Sequence, residues 1–162
     1  MSEGTPPPLL FSERQHLSRL WLLVPIVPLV VTLAVLMSGG AALATGEVVT
    51  LAVIAALVIA IGGLLAALRL DIEVAGDVVR VRMRPFMRRT LSLDEIASFE
   101  ARRYRPIREF GGWGIRWGPS GRAYNLRGNR GVQLTLAGGG RLLLGSQRAD
   151  ELAAAIEEAA TT

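Results

Sequence analysis

The sequence predicts a membrane-inserted α-helical hairpin followed by a small, curved, mainly antiparallel sheet domain closed by a C-terminal helix. Three observations predict it. Two long runs near the N-terminus carry no formal charge. After Arg69 the apolar residues switch to a period of two, the signature of half-buried strands. The last stretch, "SQRADELAAAIEEAA", spaces Leu152 and Ile156 four apart on one helical face.

Composition sets the frame. The chain has 162 residues, is 51% hydrophobic and has a formal net charge of +4. Its mean hydropathy of +0.39 exceeds that of an ordinary soluble domain of this length. The apolar residues fill Leu20 to Leu68, and the charges crowd in after Arg69. All 18 basic residues are Arg, as in chains from GC-rich bacterial genomes. Without Lys there is no Walker-type phosphate loop and no Schiff-base chemistry. Without Cys there is no disulfide, thiolate nucleophile or Cys metal site. The single histidine, His16, excludes a multi-His metal centre and reads as a solvated or headgroup-level side chain. Asp94 and Glu95, like Glu157 and Glu158, are sequence neighbours and do not converge as an acid/base pair. The expectation is a non-enzyme with no cofactor and no metal.

The predicted organisation is a cytoplasmic tail over 1–18, a two-helix hairpin over 19–68 and a cytoplasmic domain over 69–162. The first expected span covers about 20–38, the second 48–68. The dense part of the first, "LWLLVPIVPLVVTLAVLM", has 18 residues, close to what a ~30 Å hydrocarbon core needs. Pro25 and Pro28 should kink or loosen its first turn. The connection "SGGAALATGE" is short, so the two spans form an antiparallel hairpin. Small residues recur at Ala52, Ala56, Ala60, Gly63 and Ala67 on one face of the second helix. Such faces permit close approach in lipid; they are expected to pack the hairpin on itself, with self-association in the membrane as the alternative. Arg14, Arg19 and Arg69 flank the spans while the loop carries only Glu47, which by the positive-inside rule places both termini in the cytoplasm. "ALAT", Ala42 to Thr45, also resembles a signal-peptidase site, but the apolar core is long and starts late for a signal peptide. "MSEGTPPPL" reads as a disordered polar tail, and "FSERQHLSRLW" as the start of a juxtamembrane helix with Trp21 at headgroup level.

Past Arg69, "LDIEV" and "VVRVRMRP" alternate and join through "AGD" as a hairpin. "RRTLSL", "IASFEARRY", "GWGIRW" and "RAYNL" are further strand candidates. "VQLTLA" and "RLLLG" pair across Gly138–Gly140. Ser146 is a candidate N-cap, with Asp150 and Glu151 early in the closing helix. Seven or eight short strands must bend or close on themselves to bury a core, with the helix over an open end.

In that order of elements, "LSLDEIASFE" and "GVQLTLAGGGRLLLGSQRADELAAAI" resemble bacterial pleckstrin-homology-like (PH-like) domains. The resemblance covers about Leu70 to Ala160. The two-helix start is similar to a group of small bacterial membrane proteins that carry such a domain. It implies a curved seven-stranded antiparallel sheet capped by a C-terminal helix, used for binding rather than catalysis. Phosphoinositide-binding members carry basic residues around the first hairpin; here "EVAGDVVRVR" has a small, acidic turn.

Two candidate surfaces follow. Arg80, Arg82 and Arg84 share one face of a strand, and with Arg88 and Arg89 they bracket the apolar tip Phe86–Met87. A basic rim around an apolar tip suits docking on an anionic leaflet; a solvated, charge-protected edge strand is the alternative. The second surface is "RPIREFGGWGIRWG" with its neighbours. Trp113 and Trp117 lie four apart and on a strand share a face with Ile115, as core or as a sticky edge. Arg105, Arg108, Arg116 and Tyr124 flank that edge, and these residue types are enriched at interface hot spots. The glycines do not match a dinucleotide fingerprint. Residues 69–148 hold 16 Arg and 7 acidic residues, 16 − 7 = +9. The inner leaflet accounts for that charge, and no basic recognition helix argues for nucleic acid. The functional expectation is a bacterial inner-membrane protein whose cytoplasmic domain binds or scaffolds a protein partner, its own copies or the membrane surface. A small accessory subunit of a transport or secretion complex is the alternative.

Overall fold

The computed structural model describes residues 8–18, 23–39 and 45–161. The Pro-rich start, Arg19, Trp21 and residues 40–44, with most of the "ALAT" segment, lie outside the described residues. The chain divides into two compact units. One is Leu17–Leu68; the other joins the N-terminal segment ending at His16 to everything from Arg69 onward.

The apolar unit holds α1 (Ile26–Gly39) and α2 (Thr45–Ala67). α2 has 23 residues, one charge (Glu47) and a length of about 35 Å at 1.5 Å per residue. Among the described residues it is the one helix long and apolar enough to cross a membrane. α1 starts at Ile26, later than the expected span. Pro28 falls in its first turn, where a missing N–H costs nothing, and Leu29 donates its backbone N–H back to Pro25 at 3.3 Å. Mid-helix, Thr32 is buried and its hydroxyl donates to the Pro28 carbonyl at 2.8 Å.

The half-buried face of α2 is Leu51, Ala55, Val58, Gly62 and Leu65, spaced four, three, four and three. A Cβ on Gly62 would lie 3.2 Å from the Pro25 ring, whereas one on Gly63 would meet nothing within 4 Å. Ala52, Ala56, Ala60, Gly63 and Ala67 are all exposed. The expected packing of that small-residue stripe on α1 is therefore corrected. Leu51, Ala55, Val58 and Leu65 are the half-buried side chains of α2, and Gly62 provides the close approach to Pro25.

Among the described residues the other unit has nine strands, two α-helices and one 3-10 turn. Residues read from sequence as a tail and a helix start form strand β1 (Leu9–His16) instead. Phe11, Glu13 and Gln15 are buried while Ser12, Arg14 and His16 are exposed, a period-two pattern hidden by the polar identity of two inward residues. β1 pairs antiparallel with β2 (Arg69–Ala75), from Leu9↔Ala75 to His16↔Arg69. β3 (Val78–Arg84) and β4 (Met87–Ser92) complete a four-stranded meander. Its inner face buries Leu70, Ile72, Val74, Val79, Val81, Met83 and Leu91. Each such side chain contributes about 1.5–3 kcal/mol.

A 3-10 turn at Leu93–Glu95 leads to β5 (Ile96–Arg103) in a second sheet ordered β5-β8-β9-β7-β6. β8 (Arg130–Leu136) and β9 (Arg141–Gly145) continue an antiparallel meander from β5. Between β5 and β8 the chain makes α3 (Pro106–Phe110), β6 (Gly114–Gly118) and β7 (Gly121–Asn125). This excursion lies on the far edge of β9, where β7 runs parallel to β9. The single seven-stranded antiparallel sheet expected from the resemblance is thus corrected to four plus five strands with one parallel pair. α4 (Ala149–Thr161) buries Ala149, Leu152, Ala155 and Ile156 and packs on β1, β2, β5 and β8, so it covers both sheets. It begins two residues later than Ser146 as N-cap implies. Ser146 instead accepts the Arg148 N–H at 3.0 Å, in a turn before the helix.

Candidate functional site

β1 is fastened to the start of α4 by polar groups. The Ser146 hydroxyl donates to one oxygen of the buried Glu13 carboxylate, and the Gln147 N–H donates to the other at 2.9 Å. Gln15 donates to the Gly145 carbonyl at 2.8 Å. The Arg148 guanidinium donates to the Ser12 carbonyl and lies 4.8 Å from the Phe11 ring centroid. A buried carboxylate is tolerated where donors converge on it.

The β5–β8 excursion has its own anchor. α3 starts with Pro106 at its first position and stops at Gly111, whose φ of 73° few other residues accept. The Arg105 N–H donates to Glu109 at 2.7 Å, and Arg102 donates to the same carboxylate at 2.8 Å and to Gln133 at 3.0 Å. The hydrogen bond from Arg102 holds Glu109 below its ordinary pKa. Buried Phe110 meets Tyr104 edge-on at 6.0 Å. Asn125, fully buried, accepts the Gly114 N–H at 3.0 Å and donates to the Tyr104 hydroxyl at 3.0 Å. Burial raises the Tyr104 pKa, so the neutral hydroxyl is the form this packing favours.

These anchors decide where the glycine–tryptophan stretch points. Trp113 precedes β6, so it does not share a strand face with Trp117. It is half-buried, and its indole N–H donates to the Gly128 carbonyl at 3.1 Å. Ile115 and Trp117 are on β6 opposite Tyr124 and Arg122 of β7. Trp117 is 67% exposed. Tyr124 is buried and accepts from Arg122 at 3.3 Å, and the Arg122 guanidinium sits 4.9 Å from the Trp117 ring centroid. Arg116 turns to the opposite side and donates to the Trp113 carbonyl at 2.8 Å. Arg105 and Arg108 are exposed on and before α3 and do not reach this group.

The basic hairpin is also split. Arg80, Arg82, Arg84 and Arg88 alternate with the buried residues, on the outer face of the first sheet. Arg89 pairs with Val81 and so lies on the inner side with Met87, away from the outer stripe. The outer stripe is partly neutralised: Arg82 lies 3.8 Å from Glu73, and Asp71 takes both Arg14 at 3.0 Å and Arg84 at 3.8 Å.

One cleft of about 450 Å³ collects members of both candidate surfaces. β4 supplies Met87, Arg88 and Arg89; β6 supplies Ile115 and Trp117; β7 supplies Arg122 and Tyr124. Arg88, Arg89 and Arg122 form no ion pair among the described residues, and no acidic residue lines the cleft. A neighbouring hollow of about 480 Å³ is lined by the tip Arg84–Arg88, with Phe86 58% exposed. Arg122 was not singled out from sequence, although the alternation in "RAYN" puts it on the face of Tyr124. Among the described residues no group of three His, Cys, Asp or Glu is placed to hold a metal. Comparison with protein-family models finds no match, and comparison with curated proteins finds none either.

Proposed function

We propose that this chain is a membrane-anchored binding module: a two-span hairpin inserted into a cytoplasmic PH-like domain that recruits a protein partner, its own copies or the membrane surface, without catalysis. The observation that carries the anchoring is the pairing His16↔Arg69. Paired strands hold their Cα atoms about 5 Å apart. A single crossing by α2 would leave His16 and Arg69 on opposite sides of a ~30 Å core. If α2 spans, residues 17–44 must span as well. Arg14 and Arg69 near the crossing points favour the cytoplasmic side for the domain.

Support for the PH-like reading is the four-strand meander, the three-strand meander β5-β8-β9 and the closing helix that covers both. On this reading α3–β6–β7 is an insertion in the second meander, and the hairpin is an insertion in the first strand connection. The tip Arg84–Arg88 also fits surface docking. Arg84 pairs with Arg69, so the tip lies at the sheet end from which the apolar segment departs.

Cysteine labelling tests the topology, because the chain has no native Cys. In intact spheroplasts a membrane-impermeant maleimide should label Thr45→Cys, and should reach Ser98→Cys and Thr161→Cys only after permeabilisation. Labelling of all three in intact cells, or of none before lysis, refutes the two-span arrangement. The exposed Ala52, Ala56, Ala60, Gly63 and Ala67 face favours a second reading, an accessory subunit packed in the membrane on a partner helix. Leucine at Ala56 and Ala60 should then abolish co-purification of that subunit while the domain stays folded.

A further inference from the structure

The four sheet edges are treated unequally. The outer strands β1 and β5 both lie under α4. The other two edges, β4 and β6, have no strand on their open side among the described residues, and the arginine–aromatic cleft lies between them. An open edge presents unpaired backbone N–H and C=O groups that another strand can complete. The side chains around it are selective. Arg88 on the outer side and Arg89 with Arg122 on the inner side are without ion pairs among the described residues. Trp117, Tyr124, Met87 and Ile115 form an adaptable apolar wall. By contrast, Asp71 and Glu73 balance much of the outer stripe on β2 and β3.

We propose that the open edge of β4 beside this cleft binds an extended peptide segment of a partner protein in which acidic and apolar side chains alternate. The inference rests on the binding-module reading and specifies its partner. The segment adds as a strand to β4. Its carboxylates face Arg88 on the outer side, and its apolar side chains face Met87, Ile115 and Trp117 on the inner side. Backbone hydrogen bonds supply affinity, and the arginines select against basic segments.

The test uses the full chain in phosphatidylcholine nanodiscs and a fluorescein-labelled decapeptide of alternating aspartate and valine, read by fluorescence anisotropy. Saturable binding is expected. It should weaken at least tenfold when lysine replaces aspartate, and at least tenfold when alternate peptide nitrogens are methylated. Arg88→Glu and Trp117→Ala should each weaken it at least tenfold, while Arg108→Glu, outside the cleft, leaves it unchanged. Arg88 and Trp117 are both exposed, so neither variant should prevent folding. No binding, an equal loss with Arg108→Glu, or indifference to N-methylation overturns the proposal. So does quenching of Trp117 by brominated phosphatidylglycerol with displacement of the peptide, which would assign the cleft to lipid. If the peptide fails while the cysteine-labelling topology holds, the edge assignment falls and the anchored module stands.

Discussion

The same sheet scaffold carries two long excursions, and they are built in opposite ways. The first, residues 17–68, leaves between β1 and β2 and carries the nearly uncharged helices α1 and α2, whose described side chains are mostly exposed. The second, between β5 and β8, folds back as α3, β6 and β7 and buries Phe110, Ala123, Tyr124 and Asn125. An excursion that exposes so much apolar side chain marks an interaction site, for a membrane or for a protein partner; a mixed one supplies its own core. What holds their ends together also differs. The first is closed by a full strand pair and by Glu13 and Gln15 on α4's approach. The second is closed by the Tyr104 N–H donating to the Asn129 carbonyl at 2.9 Å and by the Asn125 bonds. The two closures meet at Gly145. Its carbonyl accepts from Gln15, and a Cβ there would lie 2.6 Å from the Asn125 Cβ and 3.2 Å from the Tyr104 hydroxyl.

The largest effect should come from breaking both closures at that shared point. Gly145→Ala forces backbone apart at a site with no free space and should cost about 3 kcal/mol, read by denaturant unfolding, with loss of protection in both β1 and β6–β7 by hydrogen exchange. Asn125→Ala should cost about 2 kcal/mol, because it strands the half-buried Gly114 N–H and the buried Tyr104 hydroxyl. Its exchange effect should be confined to α3–β6–β7, and spread into β1 would mean the closures are not independent. Glu13→Gln should cost about 1 kcal/mol and loosen β1 alone, leaving the Trp117 environment unchanged by fluorescence.

The smallest effects are those of pH. Glu109 has a lowered pKa in the folded state, first through its hydrogen bond from Arg102. Its contribution is therefore complete above the ordinary value of 4.5 and is lost as pH falls through the lowered value. Tyr104 is raised by burial, so its contribution is complete below the ordinary value of 10.0 and is lost as pH rises through the raised value. Thermal melts against pH should show the acid loss vanish in Glu109→Gln and the alkaline loss shrink in Tyr104→Phe, with neither change touching β1.

How much of this was legible in the sequence depended on whether the signal was local. Hydropathy alone marks α2, and alternation alone marks β2, β3 and β8, because a buried face repeats every second residue within one short segment. Pro106 and Gly111 bracket α3 as start and stop signals, and sequence reading passed over them because the helix is only five residues long. Arg82, Arg84, Phe86, Arg88, Trp117 and Tyr124 stand out by type and spacing. The partial neutralisation of the outer stripe beside an uncompensated cleft does not, since ion pairs such as Arg14–Asp71 and Arg84–Asp71 join different strands.

By itself, then, the sequence determined the residue types available, the apolar segment from Leu20 to Leu68, most strands and the closing helix. Only the tertiary structure decided that Leu9–His16 belongs to the sheet. Its inward residues Glu13 and Gln15 look like surface until the groups they bond, 130 or more residues away, are brought up to them. It likewise decided which helix face packs in the hairpin and which two sheet edges stay open. Those outcomes depend on free energies of contact between distant segments, which no window of the chain contains.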